Sequence, residues 1–237
     1  MKIHFLGVSS SINASGIGSS ILIDDKILID APPACSSNLI KNGVDLNKIT
    51  NVFISHLHGD HFMGLPILLL EYMLLNRTIP LNIYGDNKLE KNVLAFLSLA
   101  FPEENTKEQI KKSNPIFYDI DKFDDIPIGN ININHFNTQH SPNSKGFFIR
   151  GKKNILFTSD TALFENLYKI IDESDEIILD GTTFNLNLPG HINYIQIKEL
   201  ALKFNNKRFF VVHRGKYDID EKYDNIVFPK EGDIIYY

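Results

Sequence analysis

The sequence predicts a layered α/β fold, with sheets covered on their outer faces by helices. Three observations carry this reading. Short β-branched or aromatic runs cluster at the start of the chain and again past its middle. Apolar segments with helical spacing follow each cluster. No stretch of linker-like composition separates the halves, so the 237 residues are expected to form one domain, 1–237.

The first strands are expected at Lys2 to Val8, Ser20 to Asp24 and Lys26 to Asp30. A Ser/Gly/Asn-rich stretch parts the first two, and Asp24-Asp25 makes a tight turn between the next pair. Asn51 to Ser55 is a buried-type strand that delivers the chain to His56. Phe62 to Leu75 reads as one Leu-rich helix with Pro66 in its first turn. A strand at Leu81 to Tyr84 and a helix at Asn87 to Ala100 follow, and the polar run Phe101 to Asn114 reads as a surface connection. The second half offers strands at Ile131 to Asn137, Gly146 to Arg150, Asn154 to Thr158 and Glu176 to Leu179, with a helix at Ala162 to Ile171. Tyr194 to Phe204 has a helical apolar face, and Arg208 to Val212 is a strand that ends on His213.

Composition narrows the function classes. Apolar residues at 43% and charged residues at 22% are the balance of a globular protein with a real core. The net charge of −5 argues against a protein that lives on long nucleic acid, while a small anionic ligand needs only a local positive site. Cys35 is the single cysteine, so no intramolecular disulfide can form, which fits a reducing compartment. The N-terminus lacks a signal-peptide h-region, and the apolar run Leu65 to Leu75, broken by Glu71, is too short to cross a bilayer. The expectation is a cytoplasmic protein.

Chemistry starts after Ser55, where residues 56–61 read His-Leu-His-Gly-Asp-His. His56 and His58 alternate, so at a strand end both imidazoles point to one side. Asp60 and His61 follow in the turn towards a helix. Three imidazoles and a carboxylate suit a borderline cation such as zinc, and four ligands on one loop serve two neighbouring ions more easily than they surround one.

The run Ser55-His56-Leu57-His58-Gly59-Asp60-His61-Phe62-Met63-Gly64-Leu65-Pro66 resembles the signature loop of the metallo-β-lactamase superfamily, in its RNase Z-like branch. The resemblance spans nearly the whole chain. Leu28-Ile29-Asp30 resembles the strand ending in a structural aspartate behind the metal loop. His140-Ser141-Pro142 resembles the segment of the third histidine, Phe157-Thr158-Ser159-Asp160-Thr161 the strand of the bridging aspartate, and His213 the last ligand. The resemblance implies a four-layer αββα sandwich with two central mixed sheets. It also implies two zinc ions per subunit, with manganese as a substitute. His56, His58 and His140 would hold one ion and Asp60, His61 and His213 the other, with Asp160 and a hydroxide bridging them.

Pro189-Gly190-His191-Ile192-Asn193 resembles the branch's Gly-His-Ser-Thr stretch, with Ile-Asn replacing Ser-Thr. That likeness makes His191 a general acid, and Asp180 stands where the branch has the carboxylate that orients it. The implied catalytic set is His191, Asp60 and Asp180. His4 and His135 lie inside strands and are read as ordinary side chains. Arg214 and Lys216 follow His213 at a spacing shorter than the RNase Z pattern, which leaves a phosphate-holding role open.

One scaffold hosts many reactions, so the substrate needs its own argument. A glyoxalase II-like thioesterase fits Gly-His at 190–191 less well, and a flavo-diiron protein would show glutamate at His58. tRNA 3′-processing enzymes of the branch carry a basic arm between the third histidine and the bridging aspartate, whereas only twenty positions separate His140 from Asp160. The acidic balance points the same way. The expectation is a small phosphodiester, foremost a cyclic nucleotide. Anti-Pycsar proteins and phosphoribosyl cyclic phosphodiesterases are compact relatives of this kind, and the residues do not separate them. An RNA or tRNA 3′-processing endonuclease is the alternative within the class, and a non-catalytic metal-binding sensor the alternative outside it. Relatives of the branch are mostly homodimers, which the resemblance extends to this chain.

Overall fold

A computed structural model describes residues 1–10, 16–102, 105–219 and 223–237. The middle of the Ser/Gly/Asn-rich stretch after the first strand, residues 11–15, lies outside them. The first sheet is built from β1 (Lys2–Gly7), β2 (Ser20–Ile23), β3 (Ile27–Ile29), β4 (Asn51–Phe53), β5 (Leu81–Gly85), β6 (Pro115–Asp119) and, at the far end of the chain, a strand Ile234–Tyr236. The second holds β7 (Ile126–Ile128), β8 (Ile131–Asn137), β9 (Lys145–Arg150), β10 (Asn154–Phe157), β11 (Glu176–Asp180), β12 (Arg208–Val212) and β13 (Ile226–Val227), so the last strand is β14.

Both sheets are seven-stranded and mixed, in the orders β14-β1-β2-β3-β4-β5-β6 and β13-β12-β11-β10-β9-β8-β7. The pairings from β14 to β3 are antiparallel and those from β3 to β6 parallel. In the second sheet β7 to β10 are antiparallel and β10 to β13 parallel. The three-residue turn between β2 and β3 takes left-handed φ at both Asp24 (49°) and Asp25 (58°), and the Lys26 amide closes it on the Ile23 carbonyl (3.0 Å).

Strand periodicity then sorts side chains into layers. Ile3, Phe5, Ile21, Ile29 and Phe53 face inward and meet Ile133, Phe147, Ile149, Phe157 and Phe210 of the other sheet in one core. The alternate residues Leu22, Leu28 and Val52 face outward, beneath α1 (Cys35–Lys41), α3 (Gly64–Leu74) and α4 (Leu89–Ala100). On the opposite side Leu156, Leu179 and Val211 pack under α6 (Glu165–Glu173) and α7 (Tyr194–Lys203). The order is therefore helix, sheet, sheet, helix, as the resemblance implied. Each fully buried Leu, Ile or Phe contributes about 1.5–3 kcal/mol of transfer free energy, which makes the three layers of apolar contact the main stabilising term.

The Leu-rich helix departs from expectation at its start. A short α2 (Gly59–Phe62) begins on the histidine loop itself, and α3 opens after Met63, with Pro66 in its first turn. Gly64 makes this junction: its amide donates to the Ala31 carbonyl (2.8 Å), and a Cβ would lie 2.0 Å from the Pro32 carbonyl oxygen. The expected surface connection holds a short helix, α5 (Thr106–Ile110), and a 3₁₀ turn, Lys111–Ser113, while Glu103 and Glu104 lie outside the described residues. The helix expected from Ala162 starts at Glu165. Helix α1 and strands β6, β7, β13 and β14 are absent from the sequence reading; β6 and β7 carry prolines and are five and three residues long, so their periodicity is weak.

Candidate metal centre

The site lies where strands of both sheets end, at the carboxyl ends of β3, β4, β10, β11 and β12, the place where open α/β sheets gather ligands. Three of these exits force left-handed backbone on non-glycine residues: Asp30 (φ 59°), Ser159 (φ 53°) and His213 (φ 50°). Such conformations cost about 1–3 kcal/mol each and persist where the surroundings over-determine them. Here they swing Asp30, Asp160 and His213 into one cluster.

Asp30, fully buried, organises the histidine loop. Its Oδ1 accepts from the Ser55 amide (2.8 Å) and its Oδ2 from the Ser55 hydroxyl (2.8 Å) and from His61 Nδ1 (2.8 Å). With its hydroxyl given to Asp30, Ser55 Oγ accepts from His56 Nδ1 (3.0 Å). Both rings are thereby held with the proton on Nδ1 and Nε2 turned inward. His140 Nδ1 donates to the Gly190 carbonyl (3.0 Å), and its Nε2 lies 3.0 Å from Nδ1 of the exposed His58. Gly190 has φ 79° and would set a Cβ 2.7 Å from His140 Nδ1, so no other residue fits there without displacing the ring.

Asp160 Oδ2 is the common focus. It lies 3.4 Å from His61 Nε2, 3.4 Å from His213 Nε2, 3.7 Å from His140 Nε2 and 3.9 Å from His56 Nε2. Asp60 Oδ2 lies 3.6 Å from His61 Nε2 and 3.3 Å from His213 Nε2. The side chains fall into the groups His56-His58-His140-Asp160 and Asp60-His61-His213, with ligand atoms of each group within 4.8 Å of one another. Asp160, Asp180, His191 and His213 form a further group, but Asp180 touches the Nδ1 atoms of both histidines. We read it as orienting these rings from behind.

The residues fit divalent cations on three counts. His56 Nε2, His61 Nε2 and Asp160 Oδ1 are buried without hydrogen-bond partners, each an expense of about 1–3 kcal/mol unless something else binds it. Imidazole and carboxylate are the donor set of zinc-like ions. The charge pattern agrees. Burial opposes charge on His213, yet Asp160, Asp180 and Asp60 outweigh it and hold its pKa up to about 10. Burial likewise opposes charge on His61, and Asp160 and Asp30 raise it well above the ordinary value. Burial and the neighbouring His61 push His56 far down, and burial lowers His140. Against burial, hydrogen bonding from His213 and the charges of His61 and His213 hold Asp60 low; His213 and His61 do the same for Asp160. The carboxylates thus attract positive charge at the inward Nε2 atoms, where protons and metal ions compete.

His191 sits beside this cluster, its ring 4.7 Å from that of His140 and stacked 5.5 Å from that of His213. Its Nδ1 donates to Asp180 Oδ2 (2.8 Å), and although burial lowers its pKa, that carboxylate raises it on balance. Thr182, absent from the sequence reading, joins the two: its hydroxyl donates to Asp180 Oδ1 (2.6 Å) and lies 3.0 Å from His191 Nδ1 and 2.9 Å from His213 Nδ1. A hydroxyl two residues past a strand-end carboxylate was the available signal. Asn193, in place of the Ser-Thr pattern, caps α7 in a reciprocal box with Gln196.

All the expected ligand residues therefore meet in one place, with Asp180 and His191 adjoining. His4 and His135 lie elsewhere; His135 Nε2 bonds the Phe123 carbonyl (2.8 Å), and His4 is buried in β1. The Arg214 guanidinium stacks on Phe228 (5.0 Å) and Tyr217 (5.9 Å).

The family described as anti-Pycsar protein Apyc1 matches residues 1–234. A ribonuclease Z of Picrophilus torridus is 28% identical over 262 aligned positions, covering 90% of this chain and 85% of that protein. One of Methanococcus aeolicus is 35% identical over 120, so the chain matches only 37% of that relative's length. Among solved structures, the metallo-β-lactamase fold protein YhfI from Bacillus subtilis superposes with a TM-score of 0.78 at 17% identity, over 99% of this chain and 98% of its own. The two mixed sheets, the helical outer layers and the near full-length match establish that this chain belongs to the anti-Pycsar protein Apyc1 family, on the metallo-β-lactamase fold.

Proposed function

We propose that the protein is a dinuclear-metal phosphodiesterase that hydrolyses a small phosphodiester, foremost a cyclic nucleotide. The observation that carries this reading is the convergence of four inward Nε2 atoms on Asp160, beside a histidine clamped by Asp180. We assign His56, His58 and His140 to one ion and Asp60, His61 and His213 to the other, with Asp160 shared. Bound there, zinc or manganese would supply Lewis-acid stabilisation of a phosphoryl group and a water acidic enough to react near neutral pH.

The chain's own groups do the rest. Asp30, directly for His61 and through Ser55 for His56, fixes Nδ1 as the outward donor of each ring and so presents Nε2 to the cluster. Asp180 accepts a hydrogen bond from His191 Nδ1–H, so the proton that His191 gives to a leaving oxygen is carried on Nε2, and against the lowering effect of burial the carboxylate favours the protonated ring. Thr182 locks Asp180 against rotation.

What lies between His140 and Asp160 supports a small substrate. That interval holds β9, β10, the three-residue turn 151–153 and the short flanking segments 141–144 and 158–159, which leaves no arm for an RNA duplex. The net charge of −5 adds to this. The ribonuclease Z relatives favour the second reading, RNA 3′-end cleavage. We further take residues 1–237 as one domain, because the two sheets share their inner core. Homodimers would draw on Leu74, Leu75 and Leu99, exposed at the ends of α3 and α4. A cytoplasmic site is consistent with a lone buried thiol. Among the described residues no helix is long and apolar enough to cross a membrane.

The test is a substrate panel of bis-p-nitrophenyl phosphate, 3′,5′- and 2′,3′-cyclic nucleotides and a precursor tRNA. Turnover of cyclic nucleotides is expected. Cleavage of the tRNA alone would replace this reading with the second, and metal binding with no turnover of any of them would make the protein a sensor.

A further inference from the structure

His56, His61 and His213 each have a side-chain oxygen at Nδ1, from Ser55, Asp30 and Thr182 respectively. His140 has only a main-chain one, the Gly190 carbonyl at 3.0 Å. A carbonyl fixes which nitrogen points inward, but no side chain braces the ring from behind. Where His140 sits therefore depends on how its own main chain is held.

That main chain leaves β8 and runs beside the turn that follows β10. The Gln139 amide donates to Thr161 Oγ1 (3.1 Å), and the Ala162 amide donates back to the Gln139 carbonyl (3.0 Å). The Thr161 hydroxyl gives its single hydrogen to the Ala162 carbonyl (2.8 Å), which leaves its lone pairs free to accept from Gln139. Thr161 is fully buried and directly follows Asp160, and its amide donates to Asp180 Oδ2 (3.3 Å). One buried hydroxyl thus ties the residue before His140 to the residue after Asp160. The rest of the His140 loop closes on itself, from the Thr138 amide to the Ser144 carbonyl (3.0 Å).

We propose that Thr161 is a positioning residue, whose Oγ1 sets His140 against Asp160 and so prepares the His56-His58-His140-Asp160 group for its metal ion. Its consequence for metal binding rests on the ligand assignment above, whereas the pairing of the two segments does not. His140 Nε2 and Asp160 Oδ2 lie 3.7 Å apart, and a working ligand set tolerates errors of only about 0.5 Å. The Asp60-His61-His213 group takes no member from the segment before β9. Asp160 itself keeps its anchor when the hydroxyl is lost, because the link to Asp180 is made by the main chain. Loss of the hydroxyl should therefore fall on one ion and spare the other.

The experiment compares Thr161→Val, which removes the acceptor at nearly the same shape, with Thr161→Ser, which keeps the hydroxyl and removes the methyl. Zinc affinity is measured by chelator competition on the metal-free full chain. In the valine variant one ion should bind about 10- to 100-fold more weakly and the other within about twofold of wild type, and serine should restore both. The metal-free protein gives a second readout by NMR. The Gln139 amide should exchange with deuterium faster and the His140 ring resonances should move in the valine variant, and neither should change in the serine variant. Unchanged affinity for both ions, equal weakening of both, or a serine variant that behaves like valine overturns the proposal, since a packing role would follow the methyl. If wild type binds fewer than two ions, the dinuclear reading falls and the metal-free spectra decide alone: changes confined to valine sustain the positioning role, and unmoved His140 resonances end it. Should the valine variant not fold, wild type suffices, because a Gln139 amide that exchanges as freely as an open chain's would refute the pairing.

Discussion

Replacing Asp30 by asparagine tests how the fold prepares the metal ligands. Asp30 touches no inward ligand atom of the cluster; it acts through Ser55 and His61. In Asp30→Ala the buried Ser55 amide and His61 Nδ1–H lose their acceptor, at about 1–3 kcal/mol each, or roughly 2–6 kcal/mol together. That is a large share of the ~5–15 kcal/mol that separates native from unfolded chains, so the alanine variant measures folding above all. Asparagine isolates the chemistry. Its Oδ1 still accepts from the Ser55 amide, while its amide nitrogen stands where Oδ2 accepted from His61 Nδ1 and the Ser55 hydroxyl. Donors now face donors. His61 relieves the clash by moving its proton to Nε2, and Ser55, turned away, gives its hydroxyl to His56 Nδ1 and moves that proton inward as well. Two ligand nitrogens are then protonated towards the cluster. The expected outcome is a stability loss of about 1–2 kcal/mol, in line with one hydrogen bond reversed. Metal affinity should fall about 10- to 100-fold, as for other supports behind a ligand. Zinc affinity by chelator competition, urea unfolding of the metal-free protein, and histidine tautomers from ¹⁵N NMR are the assays. Affinity within twofold of wild type together with unchanged His61 and His56 tautomers would refute the relay.

Three further outcomes follow from the same geometry. Asp160→Ala removes the oxygen shared by four histidines and should abolish activity and lower bound metal; full metal content by elemental analysis would remove Asp160 as the shared ligand. His191→Ala should keep both metals and turn over slowly, about 10²- to 10⁴-fold down on cyclic nucleotides and less on nitrophenyl esters, whose leaving group needs no proton; equal losses on the two would exclude general acid catalysis. Removing metal should make stability pH-dependent on the alkaline side. The folded-state pKa of His213 is raised from 6.5 to about 10, so its contribution is fully present below pH 6.5 and lost as pH rises towards 10. The stripped protein should therefore melt lower at pH 9.5 than at 6.5 by calorimetry, with the loaded protein much less affected; a flat profile for the stripped protein would contradict the assigned charge pattern.

The sequence alone determined the layered architecture and pointed to the residues that meet in the candidate site. Short β-branched runs bounded by turn residues read as strands, and His-Leu-His-Gly-Asp-His at a strand end reads as a set of candidate metal ligands, because both signals live in local spacing. It also placed Asp180 near His191 by likeness of motif. Edge strands such as Ile126–Ile128 escaped it, since their register is set by neighbours distant in the chain and not by their own periodicity. So did Thr182, whose importance exists only once Asp180, His191 and His213 stand around one hydroxyl. The tertiary structure alone decided which nitrogen each histidine turns inward, through partners 1, 31, 50 and 31 residues away for His56, His61, His140 and His213. Ligand identity is a property of residue type, whereas ligand readiness is a matter of which proton sits where, and long-range hydrogen bonds set that.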